Sequence, residues 1–167
     1  TAERIAEQFG KTNEKWTNHF LQLLERYDAI MEKIQERASI AANAGNDVTG
    51  VTSAIQSATD AIANARTLVV AQAAKTYVLD ASAVTTVSAT TTPNGQAELI
   101  KSLRSSFQTM HKNLFKDLFA LRDGAMADAR KAMQNAHQTL SAVPKVDDDD
   151  DEDEDDENAT STSSSNQ

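Results

Sequence analysis

The sequence predicts an all-α protein: an elongated antiparallel three-helix bundle over residues 1–144, followed by a disordered acidic tail over 145–167. Three observations carry that prediction. Apolar residues recur at three- and four-residue spacings through three long stretches, as the faces of packed helices require. Only 2 prolines and 5 glycines punctuate 167 residues, too few for the many tight turns of an all-β protein. The last is an unbroken run of acids, Asp147, Asp148, Asp149, Asp150, Asp151, Glu152, Asp153, Glu154, Asp155, Asp156 and Glu157, with a Ser/Thr/Asn segment after it. Dense like charge with almost no apolar side chain cannot bury enough surface to fold.

The first helix is predicted over 2–44. Phe9, Trp16, Leu23 and Ile30 recur every seven residues, and Phe20, Tyr27, Ile34 and Ala41 complete a coiled-coil-like stripe, widened by Leu24, Met31 and Ala38. At about 1.5 Å per residue this rod is roughly 60 Å long. Ala44-Gly45 supplies a glycine for a left-handed helix stop, and Asn46-Asp47 a turn and a cap. So short a connection makes an antiparallel hairpin.

The second helix is predicted over 48–77, with a small-residue stripe of Val51, Ile55, Ala58, Ile62, Ala65, Val69 and Ala73 that suits close packing. Residues 78–95 change character. Val84-Thr-Thr-Val87 and Ala89-Thr-Thr-Thr92 are β-branched without helical spacing, and a linker loop is the preferred reading over a short strand or a prolonged helix. Pro93 closes it. The third helix is predicted over 96–142, its core face marked by Leu99, Leu103, Phe107, Met110, Leu114, Leu118 and Leu121 and continued by Ala125, Ala129, Ala132, Ala136 and Leu140. Phe115 and Phe119 broaden its middle, and Pro144 ends it. If fully buried, Trp16 and Phe107 would each lose about 3 to 5 kcal/mol on truncation to alanine.

The chain carries a formal charge of −9, yet removing the eleven tail acids leaves 16 Lys/Arg against 14 Asp/Glu, a nearly neutral body of +2. That is well short of the basic footprint of nucleic-acid binders, so no nucleic-acid partner is predicted. Lys112, Lys116 and Arg122, with Lys101 and Arg104, cluster on the third helix. They read as a solvated face balancing first-helix glutamates, or more sharply as a stripe that docks the acidic tail. There is no cysteine, which excludes disulfides and thiolate metal sites but does not settle the compartment. No stretch approaches the roughly 18 to 20 apolar residues that span a bilayer.

Catalytic patterns are missing. His19, His111 and His137 belong to neither Glu-x-x-His nor His-Glu-x-x-His and read as boundary histidines with one solvated edge. No Gly-x-Ser-x-Gly elbow occurs, and Gly45 and Gly50 flank turn residues rather than a phosphate loop. No catalytic residue, cofactor or geometric metal site is therefore predicted. Asp147–Glu157 has no EF-hand spacing, and three roles stay open: keeping the chain soluble and extended, collecting Ca²⁺ diffusely, or binding a cationic partner. Asn158-Ala-Thr160 matches the N-glycosylation acceptor pattern, which has meaning only after export in a glycosylating cell. The third helix could in principle lie on a membrane instead of in a bundle.

The first stripe ending in Ile34-Gln-Glu-Arg37, the Gly45-Asn-Asp47 turn, Leu103-Arg104 and Ala136-His137 together resemble a group of proteins. These are the uncharacterised exported, mostly helical proteins of candidate-phylum (Patescibacteria-type) bacteria. The resemblance spans roughly residues 3–142, implies an export signal before Thr1 and a secreted or cell-surface setting, and transfers no activity or site residue. A first residue of Thr and a Thr/Ser/Ala/Asn-rich composition lean the same way.

The expected function is a non-enzymatic exported or cell-surface interaction or structural module, with a protein or cell-envelope partner and the tail as spacer or tether. The alternative is an intracellular chaperone-like or assembly protein whose acidic tail binds basic clients. A metal- or ligand-binding bundle enzyme is disfavoured, because the predicted core lacks convergent polar residues and should close without a pocket.

Overall fold

The computed structural model describes residues 2–78 and 93–144, and among them it is all helical, with no strand. Four helices follow one another: α1 Ala2–Asn43, α2 Thr49–Ala73, α3 Pro93–Asp123 and α4 Ala125–Ser141. The single third rod predicted from 96 to 142 is thus two helices, divided at Gly124.

The α1–α2 corner follows from its sequence. Gly45 adopts φ 86°, its N–H donates to the Ala42 carbonyl at 3.0 Å, and the Asn46 N–H donates to the Ala41 carbonyl at 3.0 Å. This is the pairing that satisfies the last carbonyls of a helix when a residue turns left-handed, which glycine does without a Cβ penalty. Asp47 then accepts the Thr49 N–H at 2.9 Å and opens α2.

Cross-helix contacts give the directions. Asn13 of α1 bonds Gln72 of α2, and Asp28 pairs with Arg66, so α1 and α2 run opposite ways. Gly50, at the start of α2, lies against Thr139 near the end of α4. Phe9 meets Phe107 of α3, which sets α3 and α4 parallel to α1. α2 packs most extensively, against α4 and α1, and α3 makes the smaller contacts with both. Ala54, Ala58 and Ala65 of α2 and Ala129 and Ala136 of α4 are all buried, and their small side chains let backbones come close. Leu24, Leu114 and Leu118, wholly buried, form the bulk of the core between them, each worth about 1.5 to 3 kcal/mol in area removed from water.

Several expectations need correction. On α1 the seam is rotated: Phe9, Phe20, Leu24, Met31, Ile34, Ala38 and Ala41 are buried, whereas Trp16 and Leu23 are half-buried and Ile30 stands exposed. The core therefore keeps Phe9, Phe20, Ile34 and Ala41 of the predicted stripe and adds Leu24, Met31 and Ala38 of the row expected only to widen it, because α2 and the α3–α4 rod contact α1 on that side. On α2 the stripe is as predicted up to Val69, with Ile55 half-buried, and ends on buried Gln72 in place of Ala73. α2 stops at Ala73 rather than 77, and α3 begins at Pro93, whose missing N–H costs nothing at a first helical position.

Gly124 keeps the hydrogen-bond ladder on both sides. Its N–H donates to Ala120 at 3.0 Å, and its carbonyl accepts from Asp128 at 2.9 Å. Its φ −95°, ψ −106° is nevertheless far from helical, so the rod changes course there and Met126 enters the core beside Ala129. Phe107, expected inside, is 41 % exposed. The predicted linker 78–95 lies outside the described residues apart from its two ends, and the acidic tail lies outside them entirely.

Candidate functional site

The core expected to lack convergent polar residues has some at one end. Asn13 and Thr17 of α1 and Gln72 of α2 are buried to within 3 %. The Asn13 amide donates to the Gln72 carbonyl at 2.9 Å, which also accepts the Lys75 N–H at 3.1 Å, and reaches the Lys75 carbonyl just past the end of α2 at 3.5 Å. In return, Gln72 Nε2 donates to Asn13 Oδ1 at 3.0 Å and to the Tyr77 hydroxyl at 2.6 Å. Tyr77 donates onward to Asp117 Oδ2 of α3 at 3.0 Å, and Lys75 Nζ meets the same oxygen at 2.9 Å. Thr17 turns its hydroxyl back to the Asn13 carbonyl at 2.9 Å. One chain of bonds so ties α1, α2 and α3 together.

Its electrostatics close on themselves. Burial alone would raise the Asp117 carboxyl, but the bonds from Lys75 and Tyr77 and the charges of Lys75 and Lys116 outweigh it and hold the group below the usual carboxylate range. Burial pushes the Tyr77 hydroxyl up, and Asp117 adds to that, while the Gln72 bond works the other way. Beside them an open cleft of about 670 Å³ is lined by Tyr77, Ser105, Ser106, Thr109, Asn113 and Lys116 among others. Every buried polar side-chain atom among the described residues has a partner, so the buried end of the cluster is satisfied within the protein. Its chemistry is that of a clamp.

The second feature is on the outside. Phe107, His111, Phe115 and Phe119 stand four residues apart on α3, one above the next. His111 stacks on Phe107 with ring centres 6.4 Å apart and leans on Phe115 at 4.6 Å, and Phe115 meets Phe119 at 5.8 Å. The Arg122 guanidinium caps the row, 4.6 Å over the Phe119 ring, while Asp123 grips it from the side at 2.7 Å. Phe9 anchors the other end edge-on to Phe107 at 5.4 Å. Phe107 and Phe119 remain 41 % and 42 % exposed, and Ile100 is exposed two turns before Phe107. On α1, two turns beyond Phe9, Trp16 and His19 line a shallow hollow of about 520 Å³ with Lys11, Thr12 and Lys15.

The sequence-identified residues divide between these features. Lys101, Arg104, Lys112, Lys116 and Arg122 are all exposed on α3. His19, His111 and His137 are exposed on three different helices, and among the described residues no group of three His, Asp or Glu side chains converges on a metal-sized site. Among the same residues no helix is long and apolar enough to cross a membrane. Asp147–Glu157 and Asn158 lie outside the described residues. Sequence reasoning missed Asn13, Thr17, Gln72, Tyr77 and Asp117. Their signal was spacing: Asn13 and Thr17 fill the four-residue steps between Phe9 and Phe20, and Gln72 falls three after Val69. No protein-family model, curated protein or solved structure matches this chain.

Proposed function

We propose that the protein is a non-enzymatic helical interaction module, exported or held at the cell surface, which docks a protein or cell-envelope partner along the Phe107–Arg122 strip of α3. In this reading α1, α2 and the α3–α4 rod make an elongated antiparallel three-helix bundle, and residues 145–167 serve as an acidic spacer or tether. The observation that carries the reading is the row of ring contacts on the least packed helix that leaves Phe107 and Phe119 exposed. Aromatic and arginine side chains give more binding energy per residue than others, and a contiguous exposed row of them marks an interaction surface. The closed hydrogen-bonding of the Asn13–Gln72–Tyr77–Asp117 clamp supports a structural rather than catalytic interior.

Export rests on composition, and a secretory signal encoded upstream of Thr1 is the expected finding. Its absence, with the protein recovered from the cytosol, would favour the assembly-protein alternative. Docking is tested by passing an envelope extract of the source cells over the immobilised protein and over a Phe107→Ala/Phe119→Ala variant in parallel. A partner retained by the first and released by the second, with both folded by circular dichroism, is expected. Identical retention by the two surfaces would refute the strip as the docking face.

A further inference from the structure

We propose that, in the absence of a partner, the acidic run Asp147–Glu157 of the same chain lies along the α3–α4 rod between Lys116 and Lys131, over the Phe119–Arg122 end of the strip. This rests on reading the strip as a docking face and names its resident occupant.

α3 and α4 carry seven cations, Lys101, Arg104, Lys112, Lys116, Arg122, Arg130 and Lys131, against four acids, Glu98, Asp117, Asp123 and Asp128. Asp117 and Asp123 are already engaged by Lys75 and Arg122. Lys116, Arg130 and Lys131 have no carboxylate within ion-pair distance among the described residues. α1, by contrast, holds six cations against seven acids and offers no net positive face. The excess of positive charge also argues against a second copy of this face as the occupant, since cations would meet cations across a two-fold contact.

The described chain ends at Pro144, just past α4, and Glu157 follows thirteen residues later. An extended segment of that length spans about 45 Å. Lys116 lies 28 residues before Pro144, or about 42 Å even with α3 and α4 end to end. The run can therefore pass Lys131, Arg130 and Arg122 in turn and stop at Lys116, with its carboxylates free to approach the positive edges of the Phe119 and Phe115 rings. Tethering raises the local concentration of the tail to about millimolar, so individually weak surface pairs suffice to keep it there until a tighter partner displaces it.

The chain has no native cysteine, so Asn158→Cys gives a single site for a nitroxide label. In full-length ¹⁵N-labelled protein at about 0.02 M salt, amides from Lys116 to Lys131 should lose signal to the label and regain it at about 0.5 M salt. The Lys116→Glu/Arg130→Glu/Lys131→Glu variant, altered only at exposed positions, should show no such loss while keeping its helical spectrum. Broadening confined to the residues next to Pro144, or unaffected by salt and by charge reversal, would overturn the inference. So would broadening that appears only when spin-labelled unlabelled-isotope chains are mixed with ¹⁵N chains, which would indicate a second molecule. Failure here leaves the partner-capture result for Phe107→Ala/Phe119→Ala untouched, so the two proposals fall separately.

Discussion

Helices α2 and α3 use opposite materials to opposite ends. α2 is built on Ala and Val and hides Val51, Ala54, Ala58, Ile62, Ala65 and Val69 between two neighbours. α3 carries Phe107, Phe115 and Phe119, the largest apolar side chains of its half of the chain, and leaves two of them about two-fifths exposed. Side-chain size does not decide burial here; the width of the apolar face does. The α2 stripe is narrow enough for α1 and α4 to cover it. The face of α3 subtends more than its neighbours reach, so Met110, Leu114, Leu118 and Leu121 go inside and the adjoining aromatic row stays out.

Adjacent residues make the hardest test of that contrast. Leu118→Ala should cost about 3 to 4 kcal/mol, because a side chain only 1 % exposed leaves a cavity. Phe119→Ala, although it removes more atoms, should cost about 1 kcal/mol or less. Denaturant titrations of the two variants give the difference, and equal losses would break the comparison.

The polar clamp sharpens it next, since it is what fastens α3 to α2 where apolar packing is thin. Asp117→Asn should cost about 1.5 to 3 kcal/mol, the worth of bonds to a charged group. The sign of the pH dependence follows from the group's lowered value. A carboxyl held lower in the folded than in the unfolded chain contributes fully above its unfolded-state value and loses that contribution as pH falls through the folded-state one. Melting curves of the wild type should therefore drop more steeply below about pH 4 than those of Asp117→Asn. Tyr77, whose hydroxyl is raised, loses its contribution in the other direction, above about pH 10.

Two glycines give the smallest effects, with opposite signs. Gly10 lies in mid-helix, and a Cβ there would meet nothing within 4 Å. Gly10→Ala should stabilise by about 1 kcal/mol. At Gly124 a Cβ would fall 2.7 Å from the Ala120 carbonyl oxygen, so Gly124→Ala should destabilise despite its better helix propensity. A stabilised Gly124→Ala would mean that α3 and α4 can run straight on as one rod.

The same contrast explains what could be read in the residues themselves. The α2 seam was legible because its spacing admits one face, and the Gly45 stop because a left-handed turn names its own residue. The α1 seam was read only in part, with Phe9, Phe20, Ile34 and Ala41 inside as expected, because Trp16, Leu23 and Ile30 repeat every seven residues as regularly as Leu24, Met31 and Ala38 do. Periodicity cannot say which of two adjacent rows has a neighbour. The break at Gly124 hid within continuous alanine-rich spacing, since one glycine inside a helical pattern is usually tolerated. The clamp was illegible for a different reason. Asn13, Tyr77 and Asp117 are far apart in the chain, and only the antiparallel register of α1 on α2 and the seating of α3 bring them together.

The most direct test is hydroxyl-radical footprinting of the phenylalanines by mass spectrometry, in dilute protein at about 0.5 M salt so that the acidic run is released. The rings of Phe107 and Phe119 should be oxidised several-fold faster than those of Phe20, which is 2 % exposed, and of Phe9. Protection of Phe107 and Phe119 equal to that of Phe20 would contradict an aromatic strip facing water, and with it the docking surface.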